Sequence, residues 1–368
     1  MSKAQGRLVA GITAAVVLLA AGVFVGFRIL IDQVDRAIPQ AHLFGAATAS
    51  PTGRATGTTP PQPPEGADIK GPLNILVAGE DTRELEPGSI PHADAVLVMH
   101  INADLTKAYI TSLPRDMLVK IPAFGPSGSG ADFTKLTHAM TYGARVPRTG
   151  GQDTRQGFAL LAQTVSMYTG IDHFDAGGLV SFTGLTRLGD AIGGIDIYVD
   201  YPVVSKHLGP DGTSAEARGG PFQSYPVGMQ HLNGWQMLDY ARQRYSLPNG
   251  AYDRERHHRQ IVKAMMAKIF SFDLMQHPSM APYVVQAVGR TLTLDLRGRK
   301  IHEYAYALRN LRPEAVTLVG LPGSSVFSGG TYLGEAQAPI HAAYFAAVRA
   351  DTVEQFLAAN PRLINDPR

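Results

Sequence analysis

Leu8 to Phe27 is a run of about twenty residues without a charged side chain, the length an α-helix needs to cross the hydrocarbon core of a bilayer. Lys3 and Arg7 precede it. Positive charge is retained on the cytoplasmic side, which predicts residues 1–7 inside and everything after the run outside. The apolar stretch continues as Arg28-Ile29-Leu30-Ile31 without a small-x-small exit and is longer than a secretory h-region, so residues 8–31 are expected to form an uncleaved anchor.

Residues 32–70 follow as an expected tether. Their later part is dominated by Ala, Thr, Pro, Gly and Ser, including Thr58-Thr59-Pro60-Pro61-Gln62-Pro63-Pro64, a composition that cannot bury a core. Apolar segments then recur from Gly71 to about residue 358, which reads as one domain over 71–358 with a short tail at 359–368. The 368 residues are 45% hydrophobic and 17% charged, a globular composition. A net charge of +2 gives no reason to expect a nucleic-acid partner. The absence of cysteine excludes disulfides, thiolate metal sites and cysteine nucleophiles.

Three early apolar segments predict a β meander: Leu73 to Gly79, Ala95 to Ile101 and Ala108 to Leu113. Helical spacing follows at Arg155 to Tyr168, Val180 to Ala191, Asn233 to Ala241, Asp253 to Phe270 and Ala342 to Leu357, with further strands at Ile195 to Val199 and Val316 to Leu321. Interleaved strands and helices predict an α/β fold, a central mixed β-sheet with helices on both faces.

In an antiparallel meander, the end of the first strand, the start of the second and the end of the third share one rim. Those positions hold Asp81 and Arg83, then Asp94, then Arg115 and Asp116. Asp81 and Asp94 can serve as hard oxygen ligands for Mg²⁺, or they can cap turns and strand ends. A second cluster lies at Asn233 to Arg244, where Asn233 with Gln236 suits a helix N-terminus. On a continuing helix Arg242 and Arg244 diverge, whereas in extended chain they share a face, so the helix is predicted to end near Ala241, where both arginines can reach one ligand. Solvated helix-end arginines are the plainer reading of that pair.

The third cluster runs from Asp253 to Gln260, ahead of an apolar stripe at Ile261, Val262, Met265, Met266 and Ile269. Asp253, Arg256 and Gln260 fall opposite that stripe, on a side that either meets water or lines a site. His257 and His258 diverge on a helix and make a poor metal pair. Lys135 is one more candidate cation. No P-loop, Gly-x-Ser-x-Gly elbow or His-Glu-x-x-His helix is present.

Taken together, Gly79-Glu80-Asp81-Thr82-Arg83, Asp94 before an apolar strand, Leu113-Pro114-Arg115-Asp116, Gly170-Ile171-Asp172, Gly193-Gly194-Ile195-Asp196, Leu232-Asn233-Gly234, Tyr240 to Arg244 and Asp253 to Gln260 resemble, in order, the blocks of the LytR-CpsA-Psr family of cell-wall proteins. The resemblance covers roughly residues 71–330 and implies a deep apolar pocket for a polyprenyl chain. It also implies transfer of a glycopolymer from a polyprenyl-pyrophosphate carrier to a muramic acid hydroxyl of peptidoglycan, outside the cytoplasmic membrane. By motif, Asp81 and Asp94 would hold Mg²⁺ (or Mn²⁺), while Arg83, Arg115, Lys135, Arg242, Arg244 and Arg256 would contact or neutralise the pyrophosphate and Asp253 would position arginines. His92-Ala93 stand where the family often has Arg-Ser, and Thr137-His138 where it often has asparagine and a small residue.

The expected reaction is attack of the hydroxyl on phosphorus with polyprenyl phosphate leaving, dominated by positioning and electrostatics. Asp116 and Asp253 are the candidate general bases, and Asp81 and Asp94 are poorer ones if they hold metal. A non-catalytic binder of the lipid carrier and a pyrophosphatase using water as acceptor are the alternatives.

Overall fold

The structure, a computed structural model, describes residues 39–45, 65–80, 90–244, 247–271 and 292–365. Among these no helix is long and apolar enough to cross a membrane. The expected span at 8–31 lies outside the described residues, as do Asp81 and Arg83.

In chain order the principal elements are β1 (Leu73–Glu80), β2 (Ala93–Ile101), β3 (Ala108–Leu113), β4 (Leu118–Ile121), β5 (Asp132–Lys135), α1 (Thr137–Gly143) and α2 (Thr154–Thr169). Then come β6 (Ala176–Ser181), α3 (Phe182–Ala191), β7 (Ile195–Val199), β8 (Gly228–Leu232), α4 (Gly234–Arg242), α5 (Ala251–Ser271) and β9 (Leu292–Asp295). The chain closes with α6 (Ile301–Ala307), β10 (Val316–Val319), β11 (Gly323–Ser328), β12 (Thr331–Gln337), α7 (Ile340–Arg349) and α8 (Val353–Ala359).

The expected meander forms, β1 antiparallel to β2 and β2 to β3, and it is the middle of a six-stranded sheet ordered β9-β6-β1-β2-β3-β10. β6 runs parallel to β1 and β10 parallel to β3, so the sheet is mixed. Alternation along the strands sends Ile75, Val77, Leu97 and Met99 to one face and Leu76, Ala78, Val96 and Val98 to the other, each in its own buried cluster. The first face is covered by α3, α4 and α5 through Leu188, Met237, Tyr240, Ile261 and Met265. The second is covered by α1, α2 and α7 through Met140, Phe158, Leu161 and Phe345. Helices on both faces are thus what the pattern required.

Four expectations are corrected. Val180 to Ala191 is not one helix: β6 ends at Ser181, whose side chain accepts the Gly184 N–H and starts α3. Ala342 to Leu357 is two helices, broken where Asp351 takes a φ of 53°. Residues 39–45, placed in the tether, pair with the sheet edge, with the Ala41 amide donating to the Leu294 carbonyl at 2.8 Å and Leu43 fully buried. Leu363, placed in the tail, is buried, and the Asn365 amide donates to the Leu318 carbonyl at 2.8 Å.

One close approach sets the site. Where α4 crosses α3, a Cβ on Gly234 would stand 1.9 Å from the Thr186 carbonyl oxygen, and one on Gly189 would stand 2.8 Å from the Gly234 Cα. Only glycine admits this contact. The Gly234 N–H donates to Asp190 at 2.8 Å, and Asn233 and Gln236 complete a capping box, so α4 starts at a fixed point.

Candidate functional site

β1, β6 and β3 end, and β2 begins, at one rim of the sheet. Opposite Gly79 and Glu80 the register slips, pairing Gly79 with Ala95 and Glu80 with Ala93 and leaving Asp94 as the extra residue of a β-bulge. Bulges re-aim side chains at sheet ends, and here the Asp94 carboxylate takes a hydrogen bond from Arg115, two residues past the end of β3. Asp116, next in the chain, is buried. Its Oδ1 lies 3.7 Å from Arg115 Nε and 3.5 Å from Lys135 Nζ, and its Oδ2 lies 3.8 Å from Arg244 Nη1. Lys135 arrives there because β5 pairs with β4 and its exit is tied back, the Leu136 amide to the Met117 carbonyl at 2.8 Å and the Thr137 amide to the Arg115 carbonyl at 2.9 Å.

α4 ends at Arg242, and Gln243 is extended with φ −71° and ψ 136°. The predicted stop near Ala241 is therefore observed, and Arg242 and Arg244 reach the same cavity.

That cavity, about 260 Å³, lies between the first face of the sheet and α3, α4 and α5. Val77, Leu97, Leu185, Leu238, Ile261 and Val262 supply apolar wall. Asp94, Arg115, Arg242, Arg244, Arg254, His207 and His258 supply its polar groups.

Of the expected site residues, the fold gathers Asp94, Arg115, Asp116, Lys135, Arg242 and Arg244. Asp116 and Lys135 stand behind the wall. Arg256 and Asp253 form a separate group: Arg256 pairs with Asp200 at 2.7 Å and packs over the Tyr201 ring, while Asp253 accepts the Asn249 amide at 2.8 Å and lies 3.9 Å from Arg256. The helix side carrying Asp253, Arg256 and Gln260 thus does not line the cavity, and only Arg256 of the three is partly exposed; Gln260 also reaches Asp200, at 2.9 Å. Their place at the site passes to Arg254 and His258, which share a face with Ile261 and Val262 at helical spacing.

Arg254 is nearly buried beside Glu255, with Nη2 3.5 Å from Oε1. Burial pushes the Glu255 carboxyl up, but His258, Arg254 and Arg259 together hold it below its ordinary value. His258 turns Nε2 to the Ala241 carbonyl at 2.9 Å and Nδ1 toward Glu255 at 3.5 Å. His257 turns Nδ1 to the neighbouring Tyr240 carbonyl at 3.2 Å and stacks on the Tyr240 ring with centres 3.9 Å apart, and burial lowers its pKa to about 3. Of the two histidines, only His258 lines the cavity. His92 is not among the cavity-lining residues; its Nδ1 lies 3.1 Å from the Thr141 hydroxyl.

A hairpin supports the cluster from outside. The Glu335 amide of β12 donates to the Asp116 carbonyl at 2.8 Å, and Lys135 Nζ sits 4.7 Å from the centre of the Tyr332 ring. The buried Glu335 carboxylate accepts the hydroxyls of Tyr332 at 2.6 Å, Ser325 at 2.9 Å and Tyr252 at 3.0 Å.

Among the described residues no group of three or more Asp, Glu or His side chains is arranged to hold a metal ion. Mg²⁺ commonly needs only one or two protein carboxylates beside phosphate and water, and Asp94 at the cavity rim is such a hard oxygen donor.

Comparison with known proteins agrees with this geometry. Cell wall biosynthesis protein LcpA of Corynebacterium glutamicum is 25% identical over 295 residues, covering 73% of this chain and 53% of the relative. The polyisoprenyl-teichoic acid–peptidoglycan teichoic acid transferase TagU of Enterococcus faecalis is 26% identical over 231 residues, 62% of each chain. This chain thus spans between half and two thirds of the length of these relatives. The crystal structure of B. subtilis TagV shares the fold with a TM-score of 0.54 at 20% identity, over 77% of this chain and 98% of that one. The family model described as the LytR_cpsA_psr family matches residues 45–348. With that span matched, most of the chain is covered, and this chain belongs to the LytR-CpsA-Psr family.

Proposed function

We propose that this protein transfers a glycopolymer from a polyprenyl-pyrophosphate carrier to a muramic acid hydroxyl of peptidoglycan, forming a phosphodiester and releasing polyprenyl phosphate. The observation that carries this reading is the cavity's division: an apolar wall, with Arg115, Arg242, Arg244 and Arg254 among its polar groups. Such a lining matches an amphiphile with an anionic head. Family membership and the TagU relative's name point the same way.

Arg115, Arg242 and Arg244 bind the pyrophosphate oxygens, and Asp116 keeps Arg115, Lys135 and Arg244 aimed at them. Charge gathering on the phosphoryl oxygens and on the departing phosphate is stabilised by these preorganised cations. Val77, Leu185, Leu238 and Ile261 take the carrier's apolar chain and keep water from it. Asp94, with Asp81, would hold Mg²⁺ (or Mn²⁺), which when bound adds Lewis-acid neutralisation of the phosphates. Residues 8–31 would anchor the chain in the cytoplasmic membrane with the domain outside.

The test is incubation of the chain with a synthetic lipid-linked donor, Mg²⁺ and peptidoglycan, followed by mass analysis. Polymer on glycan supports transfer, and Arg115→Ala or Arg244→Ala should abolish it. Free polymer marks a pyrophosphatase instead, and donor retained without turnover marks a binder.

A further inference from the structure

The transfer reading needs a group to accept the proton of the attacking hydroxyl. Neither leading candidate base lines the cavity: Asp116 is enclosed by Arg115, Lys135 and Arg244, and Asp253 is committed to Asn249 and Arg256. Among the described residues that do line it, Asp94, His207 and His258 can take a proton. Asp94 is paired with Arg115, and His258 has both ring nitrogens turned to protein oxygens.

His207 differs. Its Nδ1 lies 2.5 Å from Glu216 Oε1. A carboxylate can only accept, so Nδ1 carries the proton and Nε2 is the acceptor, an orientation that a histidine–carboxylate pair commonly fixes. The loop that bears it is built into the site. Ser205 Oγ donates to the buried Asp239 at 2.8 Å and accepts the amides of His207 at 3.1 Å and Leu208 at 3.0 Å. The side chain of Gln243, between Arg242 and Arg244, donates to Asp239 at 2.8 Å and accepts the Lys206 amide at 3.1 Å. The His207 carbonyl accepts the Ala215 amide at 2.8 Å, which brings Glu216 alongside. One buried network thus fixes the His207 backbone and the turn carrying the two arginines, while the His207–Glu216 contact lies at the exposed edge of the loop.

We propose that His207, oriented by Glu216, is the general base of the transfer reaction; this rests on the function proposed above. Nε2 takes the hydroxyl proton as the oxygen bonds to the phosphorus bearing the polymer, and the bond from that phosphorus to the bridging oxygen breaks, its electron pair leaving with polyprenyl phosphate. The imidazolium then returns its proton to water.

The test compares wild type, His207→Gln and Glu216→Gln with the synthetic donor, Mg²⁺ and peptidoglycan. Turnover is followed against pH, with donor retention and thermal unfolding measured alongside. The expected result is about a 100-fold loss of turnover in His207→Gln, with donor retention and unfolding temperature unchanged and the acidic limb of the pH profile flattened. Glu216→Gln should lose about tenfold, as expected for an orienting partner. Unchanged turnover in His207→Gln, or a loss that tracks donor affinity while the pH profile keeps its shape, overturns the assignment, and unchanged Glu216→Gln overturns the dyad. If wild type releases free polymer without attaching it, the transfer reading fails; the base assignment then stands only if His207→Gln loses that hydrolysis with the same change in pH profile. If wild type turns the donor over by neither route, both fail.

Discussion

Asp116 Oδ2 and Arg244 Nη1 face each other at 3.8 Å, joining the strand rim to the end of α4 through one buried carboxylate. The same carboxylate lies 3.7 Å from Arg115 and 3.5 Å from Lys135, so its loss removes one shared anchor from three cations, while Arg115 keeps its bond to Asp94. Asp116→Asn should keep the fold, since its shape is preserved. Turnover of the lipid-linked donor should fall about 100-fold, roughly 2.7 kcal/mol of transition-state stabilisation, measured as kcat/KM.

Gly234→Ala drives a methyl group into the Thr186 carbonyl. The helices must separate, at a cost of about 2 kcal/mol. Urea denaturation should show that loss, and donor retention should weaken as well, because α4 carries Arg242 and Arg244.

Arg254→Ala removes a nearly buried partner from Glu255. His258 and Arg259 remain beside the buried carboxylate, so the domain should lose about 2 kcal/mol, the worth of one charged contact. Equilibrium unfolding of Arg254→Ala beside Arg254→Met checks this, since the methionine fills the space without the charge and should lose a similar amount.

His257 stays neutral in the folded protein because burial lowers its pKa to about 3. Below its ordinary pKa near 6.5 the unfolded chain binds a proton that the folded chain does not. Stability should therefore be full above pH 6.5 and fall by up to about 1.4 kcal/mol per pH unit as pH drops from there toward 3. The comparison is urea midpoints at pH 8 and pH 5 for wild type and His257→Phe, which retains an aromatic ring against Tyr240. The variant should lose less on acidification.

The meander was readable because β1, β2 and β3 are buried on both faces and appear as nearly unbroken apolar runs. β6 was not, because Gly177 and Gly178 offer no side chain to read; the space at Gly177 is filled by the rings of Phe44 and Phe158, far away in the chain. Arg242 and Arg244 were placed correctly from their spacing, which only an extended residue between them reconciles with one target. Arg254 was missed within a run of charges. The usable signal was its position at the head of the Ile261 and Val262 stripe, where His258 follows four residues later. Nothing local marks His207, whose place depends on Ser205, Asp239 and Gln243 meeting across separate segments.

The hairpin of β11 and β12 has a consequence for biosynthesis. Lys135 rests against Tyr332 and the Asp116 carbonyl takes the Glu335 amide, so residues made early are braced by residues made late. A nascent chain that has not yet reached Gln337 carries every arginine of the cavity but not the brace behind them. Assembly of the braced cluster is thereby tied to synthesis of the chain as far as Gln337.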